Sequence, residues 1–414
     1  MTEGTRGPVR RLATGLDRLM AGTRYVGCLE NVIVPQRDYV TQALTTITRF
    51  GPHTRLGLTP SPTARLWDWE PQQVPTIRDL PADVADNGTA AVLEYIRRLP
   101  VPRSPVDVYL SDRHIAFDID HGLSDARLYI DCITALFDIE HGTSSAWLRE
   151  RDTQFPLGHA LTHTFGGCPR RLRQAWHEVK QRPSATARPS SSMPAGTSNA
   201  SCAVEVVHVD DAVEWEVERW RAAHAPDASR TVIWLSITRA ALAHAGLPLS
   251  DTVRLVVDCR RFLRPGDRVN ANFISGLNVL APVERPANAI GAAVKADLEA
   301  ALPLLALTAT SARYLAFPAR TSRDRIWQPD MPVQVVYSDV GRLTPFESLP
   351  WIPGQPRSIN ASLEPGAPWD ISVFSGTIGH ERSVTLSYHD TVHDRHILQE
   401  AAEAIRTDPI RLLR

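Results

Sequence analysis

The sequence predicts an α/β fold of mixed sheets, not a doubly wound parallel sheet. Three observations carry that reading. Segments with strand alternation and segments with helical spacing mix along the whole chain, without the regular strand-helix-strand beat of a parallel sheet. One stretch, "QRPSATARPSSSMPAGTSNAS" at 181–201, is rich in Pro, Ser, Ala and Thr and has no apolar period, so it reads as a linker. It divides the 414 residues into halves of similar size, 1–180 and 202–414, a length that accommodates two or three domains.

The first half opens with a helix near residues 8–20. "YVGCLENVIVP" then reads as a strand, and "QRDYVTQALTTITRF" as a helix with Tyr39, Leu44 and Ile47 among its core candidates. "TARLWDWEP" is a strand, and "AAVLEYIRRL" is a short helix stopped before Pro100. "VDVYLSDRHIAFDID" is one strand or a hairpin, and "DARLYIDCITALF" is a helix. In the second half "AVEWEVERWRAAH" and "TVIWLSITRAALAHAG" are helices, the latter closed by Gly246. "TVRLVVDCRRFL" and "FISGLNVLAPV" are strands, followed by a helix over "AIGAAVKADLEAALPLLAL". "MPVQVVYSDVG", "DISVFSGTIG" and "SVTLSYHD" are strands, and "HDRHILQEAAEAIRTD" is the final helix.

Forty-five basic against 46 acidic residues leave a formal net charge of −1. That balance gives no reason to expect nucleic acid or an anionic membrane as a partner. No apolar run approaches the ~20 residues of a membrane span. The N-terminus "MTEGTRGPVRRLATGLDRL" is polar and lacks the apolar core of a secretory signal. Cys28, Cys132, Cys168, Cys202 and Cys259 are scattered, so neither a disulfide framework nor a zinc site is expected. These features together imply a reducing, cytoplasmic setting.

The stretch "HIAFDIDHGLSDARLYIDCITALF" concentrates the chemistry. Ile115, Phe117 and Ile119 alternate with His114, Ala116, Asp118 and Asp120, which puts His121 on the parity of the apolar face. Ser124 and Asp125 fall where a helix N-cap and first turn belong. An inward imidazole near a fixed carboxylate suits a general base. The spacing alone is weak, since His114 with Asp118 repeats it.

The stretch "DHGLSDA" resembles the His-His-x-x-x-Asp-Gly signature of the condensation-domain and chloramphenicol acetyltransferase-like acyltransferases. His121 matches its second, catalytic His, and Asp125 matches its Asp. "LVVDCRRFLRPGDRVNANFISGLNVL" and "VQVVYSDVGRL" are similar to two later segments of that family, in the same order. Asp120 replaces the first His, Ala126 the final Gly, Ala271 a Gly and Asp339 an Asn, which makes an atypical member. The resemblance implies two acetyltransferase-like subdomains, 1–180 and 202–414, around a V-shaped cleft.

The resemblance also implies roles. His121 takes a proton from a hydroxyl or amine acceptor as it attacks a thioester, carried by CoA or by a phosphopantetheinyl carrier protein. No cofactor is held, and no nucleophilic Ser or Cys is required. Asp125 is structural and pairs with an arginine from "VDCRRFL"; strand parity lets only one of Arg260 and Arg261 face the cleft, and the resemblance points to Arg260, because the family's characteristic Arg follows the strand immediately. Asn272, Phe273, Ser338 and Asp339 line the cleft beside Asp120, Gly122 and Ser124, with the N–H groups around Gly122 and the Ser124 hydroxyl as candidate oxyanion donors. Other readings on the same scaffold are a freestanding condensation or cyclisation enzyme of nonribosomal peptide assembly and a non-catalytic carrier-binding member. His389 and His393 have metal-ligand spacing but sit at a strand-to-helix turn, so no metal is expected. The basic run "PRRLRQ" at 169–174 reads as a solvated helix face, with an acidic carrier protein as its other reading.

Overall fold

Two mixed sheets carry the architecture, one of five strands and one of six, beside a two-stranded ribbon of β1 (Val9–Leu12) and β3 (Leu66–Trp69). The computed structural model describes residues 9–414 apart from 101, 141–144, 168–169, 172, 174, 176–200 and 317–331. The linker expected at 181–201 therefore lies outside the described residues except for Ser201, and so do three residues of the run 169–174, namely 169, 172 and 174.

The five-stranded sheet holds β2 (Arg24–Glu30), β4 (Thr76–Asp79), β5 (Val106–Leu110), β6 (His114–Asp120) and β11 (Ser358–Leu363), in the order β11-β2-β6-β5-β4. Alternation along β6 explains its place in the middle. Ile115, Phe117 and Ile119 turn to one face, into a core shared with Leu44, Ile47, Cys132 and Leu136 from the helices Arg37–Arg49 and Ala126–Glu140. Ala116 turns to the other face, with Val26, Val92, Leu93 and Ile96. Each fully buried Leu or Ile side chain of this kind contributes about 1.5–3 kcal/mol.

The six-stranded sheet holds β7 (Cys202–Val209), β8 (Leu249–Asp258), β9 (Ile274–Leu280), β10 (Val333–Arg342), β12 (Ile371–Ile378) and β13 (Glu381–His389), in the order β7-β13-β12-β10-β8-β9. β10 runs parallel to β8 and β12, and the other pairings are antiparallel. Helices Asp211–His224, Arg230–His244, Ala287–Glu299 and Arg395–Thr407 contribute Val217, Trp234, Ile290 and Ile405 to the core on one face, where Val253, Leu255 and Val257 of β8 point. Arg254 and Val256 point the opposite way, into a cleft.

Two local readings are corrected, one open alternative is decided, and one strand is added. The expected helix at 8–20 is strand β1 followed by a helix at Gly15–Met20. Thr14 sets that start: its hydroxyl accepts from the Asp17 N–H (3.0 Å), and the Asp17 carboxylate accepts from the Thr14 N–H (3.1 Å). Gly15 lets this helix touch its neighbour, since a Cβ there would fall 2.1 Å from the Ser311 carbonyl oxygen. The single helix expected over 289–307 is two, Ala287–Glu299 and Leu302–Ala316, broken where Ala301 turns to φ 55°. "VDVYLSDRHIAFDID" resolves as a hairpin of β5 and β6. Finally, β11 belongs to the second half of the chain but pairs antiparallel with β2 of the first, from Ser358 opposite Glu30 to Leu363 opposite Tyr25.

Candidate active site

A cleft of about 1990 Å³ runs between the sheets, lined from β2, the start of the helix Ala126–Glu140, β8, β10 and β11. His121 stands just past the end of β6 and faces this cleft. Its backbone N–H donates to the Thr23 carbonyl at 2.8 Å. Its Nδ1 lies 3.1 Å from the Ser124 carbonyl oxygen. A carbonyl only accepts, so Nδ1 carries the proton and Nε2 is left with its lone pair. The Tyr25 ring meets the imidazole edge-on, with centroids 5.0 Å apart.

Asp125 immediately precedes the helix Ala126–Glu140 and is 4% exposed. One carboxylate oxygen accepts from the Arg127 N–H (3.1 Å) and from Nη2 of Arg260 (3.2 Å). The other accepts from Nη1 of Arg260 (3.0 Å) and from the Phe273 N–H (3.0 Å). Asp125 is thus itself the N-cap, and Ser124 lies one residue outside. Burial alone would raise this carboxyl, but Arg260 and the two backbone donors hold it below the usual carboxylate range. Arg260 is fixed in turn by the carbonyls of Val269 (2.9 Å) and Ala271 (2.8 Å). Arg260 and Arg261 both sit in a 3₁₀ turn at Cys259–Phe262, so turn geometry and not strand parity sends Arg260 to Asp125.

Asn272 and Phe273 do not line the cleft. Asn272 is 1% exposed and works from behind the site. Its Nδ2 donates to the His121 carbonyl (2.7 Å), the Gly122 carbonyl (3.3 Å) and Oδ1 of Asp17 (3.1 Å). The Phe273 side chain packs with Leu16, Cys259 and Leu304, and the cleft wall here is Ile274, Ser275 and Gly276. Ser338 and Asp339 do line it. Asp120 does not; its carboxylate closes the turn by accepting from the N–H groups of Gly122 (2.8 Å) and Gly22 (3.1 Å). The Gly122 N–H is therefore committed, and the Ser124 hydroxyl is fully buried. Neither is an oxyanion donor in this geometry.

Two residues that the sequence reading missed complete the support. Asp17 and Arg55 form a buried ion pair at 3.0 Å. Arg55 donates from Nε to the Leu123 carbonyl (2.6 Å) and from Nη2 to the Gly122 carbonyl (3.4 Å). The carbonyls of His121, Gly122, Leu123 and Ser124 are thus each held by a side chain. The Thr14–Asp17 spacing was legible as a helix cap; nothing local in "GPHTRLGL" marks Arg55.

The remaining candidates have other partners, although His389 also lines the cleft. His114 is fully buried, with Nδ1 3.0 Å from Ser111 Oγ and Nε2 3.4 Å from Glu30. Cys132 is buried inside its helix, where burial pushes the thiol far up and leaves it unreactive. His389 Nδ1 meets Ser201 Oγ at 2.9 Å and His393 Nε2 meets the Trp369 carbonyl at 3.2 Å, so the two imidazoles take separate partners. No cluster of metal-binding side chains occurs among the described residues, and no helix among them is long and apolar enough to cross a membrane.

No protein-family model and no curated protein matches the sequence. Solved structures do match along nearly the whole chain. A trichothecene 15-O-acetyltransferase from Fusarium sporotrichioides is 13% identical with a TM-score of 0.60, covering 100% of this chain and 98% of its own. A nonribosomal peptide synthetase cyclization-docking bidomain from Sorangium cellulosum is 12% identical with a TM-score of 0.63, covering 100% of this chain and 87% of its own. Polyketide synthase associated protein 5 from Mycobacterium tuberculosis is 13% identical with a TM-score of 0.58, covering 98% of this chain and 99% of its own. With its two mixed sheets and the cleft between them, the chain has the fold of the condensation domains and chloramphenicol acetyltransferase-like acyltransferases.

Proposed function

We propose that this chain is an acyltransferase in which His121 is the general base. The observation that supports this most is the tautomer: the Nδ1 proton is tied to the Ser124 carbonyl, which leaves Nε2 as an acceptor on a cleft-facing imidazole. Nε2 takes the proton of an acceptor hydroxyl or amine as that atom attacks the thioester carbonyl. The tetrahedral intermediate then collapses, the C–S bond breaks, and the imidazolium returns the proton to the departing thiolate. Asp125 touches neither reactant; it fixes the helix start against Arg260 and keeps the four-residue turn in place. The positive end of the helix Ala126–Glu140 opens into the same cleft and favours the developing oxyanion.

The donor in this reading is a CoA thioester or an acyl group on a carrier-protein arm, and the reaction needs no bound cofactor. The test is mass spectrometry of wild type and His121→Ala with a panel of acyl-CoAs and acylated carrier proteins against hydroxyl and amine acceptors. Product from wild type and a large loss in the variant are expected. Equal product from both removes His121 as base. Binding of a donor by wild type with no product from any acceptor identifies a binding module instead.

A further inference from the structure

The cleft holds more positive charge than its own carboxylates neutralise. Six arginines line it: Arg24, Arg127, Arg254, Arg260, Arg313 and Arg342. Four have a carboxylate partner. Arg24 meets Asp118 at 2.7 Å, Arg127 meets Asp131 at 3.0 Å, Arg260 meets Asp125 at 3.0 Å and Arg342 meets Glu347 at 2.6 Å. The acids of the lining are committed as well: Asp125 and Asp258 to Arg260, Asp339 to Arg382 and Glu364 to Arg97. Among the described residues, Arg254 and Arg313 have no carboxylate partner.

Arg254 is placed by the sheet itself. On β8 it stands between Asn278 of β9 and Val336 of β10, on the cleft face, while Val253 and Leu255 on either side enter the core. Gly276 of β9 lies beside it, opposite Val256. A Cβ on Gly276 would come within 3.0 Å of Cγ, Cδ and Nε of Arg254. The missing side chain is the bed on which the arginine stem lies. Glycine inside a strand weakens it and marks a place of close approach. Here it presents a guanidinium to the cleft among apolar neighbours, Val256 and Val336.

We propose that Arg254 anchors an anion subsite, one that takes a carboxylate or phosphate oxyanion of a substrate. The proposal rests on the reading of the cleft as an acyl-transfer site and narrows its substrates to anionic ones. The planar guanidinium offers paired N–H donors that match two oxygens. Low-dielectric walls around one sign of charge strengthen the attraction. Arg313, stacked over the Tyr314 ring at 5.6 Å, adds to the same field from the helix Leu302–Ala316. The oxyanion has two sources: a carboxylate on the acyl group or acceptor, or the phosphates of a pantetheine-bearing donor.

Calorimetric titration of the full chain separates these sources with two matched pairs. One pair is 4′-phosphopantetheine against pantetheine. The other is succinyl-pantetheine against butyryl-pantetheine, both amide-linked so that no transfer occurs. Wild type should bind the anionic member of at least one pair more tightly, and added salt should erode the preference. Arg254→Ala should lose about 10- to 100-fold of affinity for the anionic member alone. Arg254→Lys should recover part of it, and Gly276→Ala should follow Arg254→Ala. A preference in the first pair names the phosphates; one in the second names a substrate carboxylate. The proposal is overturned if wild type prefers the anion in neither pair, or if Arg254→Ala keeps the preference in full. Binding is read without turnover, so a failure of acyl transfer by wild type remains a separate result.

Discussion

The side-chain amide of Asn272 donates to the backbone carbonyl of His121 at 2.7 Å, across 151 residues of chain. With Asp17 and Arg55 it pins the turn that carries the imidazole. Asn272→Ala should therefore lower kcat by about 10²-fold, the cost of a misplacement near 1 Å. KM should change much less, because the side chain does not reach the cleft. Steady-state kinetics with the preferred donor check this; equal losses in kcat for Asn272→Ala and for a neutral surface variant would remove the positioning role.

His121→Ala should lower turnover by ~10²–10⁴-fold, the range for loss of a general base. His114→Gln should stay within a few-fold of wild type, since His114 is buried against Ser111 and Glu30 and does not line the cleft. The acidic limb of the pH–rate profile should vanish in the His121 variant only. Both variants turning over at the wild-type rate would exclude His121.

Asp125→Ala leaves Arg260 with only the exposed Asp258 carboxylate beside it and should destabilise the fold by ~3–5 kcal/mol. The Asp125 carboxyl is held below its unfolded value. Its contribution is thus fully present above the ordinary Asp pKa of ~3.9 and is lost as pH falls through the folded value. Denaturant melts from pH 7 to pH 3 should show that loss in wild type and not in Asp125→Ala. An unchanged midpoint at pH 7 would show that the pair does not hold the site together.

Burial holds the imidazoles of His389 and His393 below the usual range. The unfolded chain therefore binds more protons than the folded one once pH drops below ~6.5. Stability should fall from that point toward pH 5. The double variant His389→Gln, His393→Gln should flatten the slope of melting temperature against pH. A slope equal to that of wild type would place its origin in other groups.

Much of this was legible in the sequence, for physical reasons that differ by residue. The alternation of Ile115, Phe117 and Ile119 announced β6, because each of those side chains enters one core. His121 and Asp125 were legible because a strand end and a helix start each leave a local pattern. Asn272 and Phe273 were placed on the wrong side of the wall, since pattern gives parity along a strand but not which face a preceding loop presents. Arg55 was invisible because its partners, Asp17 and the Gly122 and Leu123 carbonyls, meet only in the folded chain. β11 escaped because "SINASL" is buried yet mostly small and polar, so hydrophobic alternation does not mark it. Leu44 and Ile47 were legible from helical spacing, and they lie fully buried on the apolar stripe of their helix.

The pairing of β11 with β2 has a consequence for biosynthesis. Until about residue 363 has left the ribosome, β2 has an open edge along residues 25–30 and the first sheet lacks a strand. An open edge is a template for the wrong partner. The N-terminal half thus waits for most of the chain before it is sealed, and nascent chains stopped between the halves should be those that aggregate or recruit chaperones.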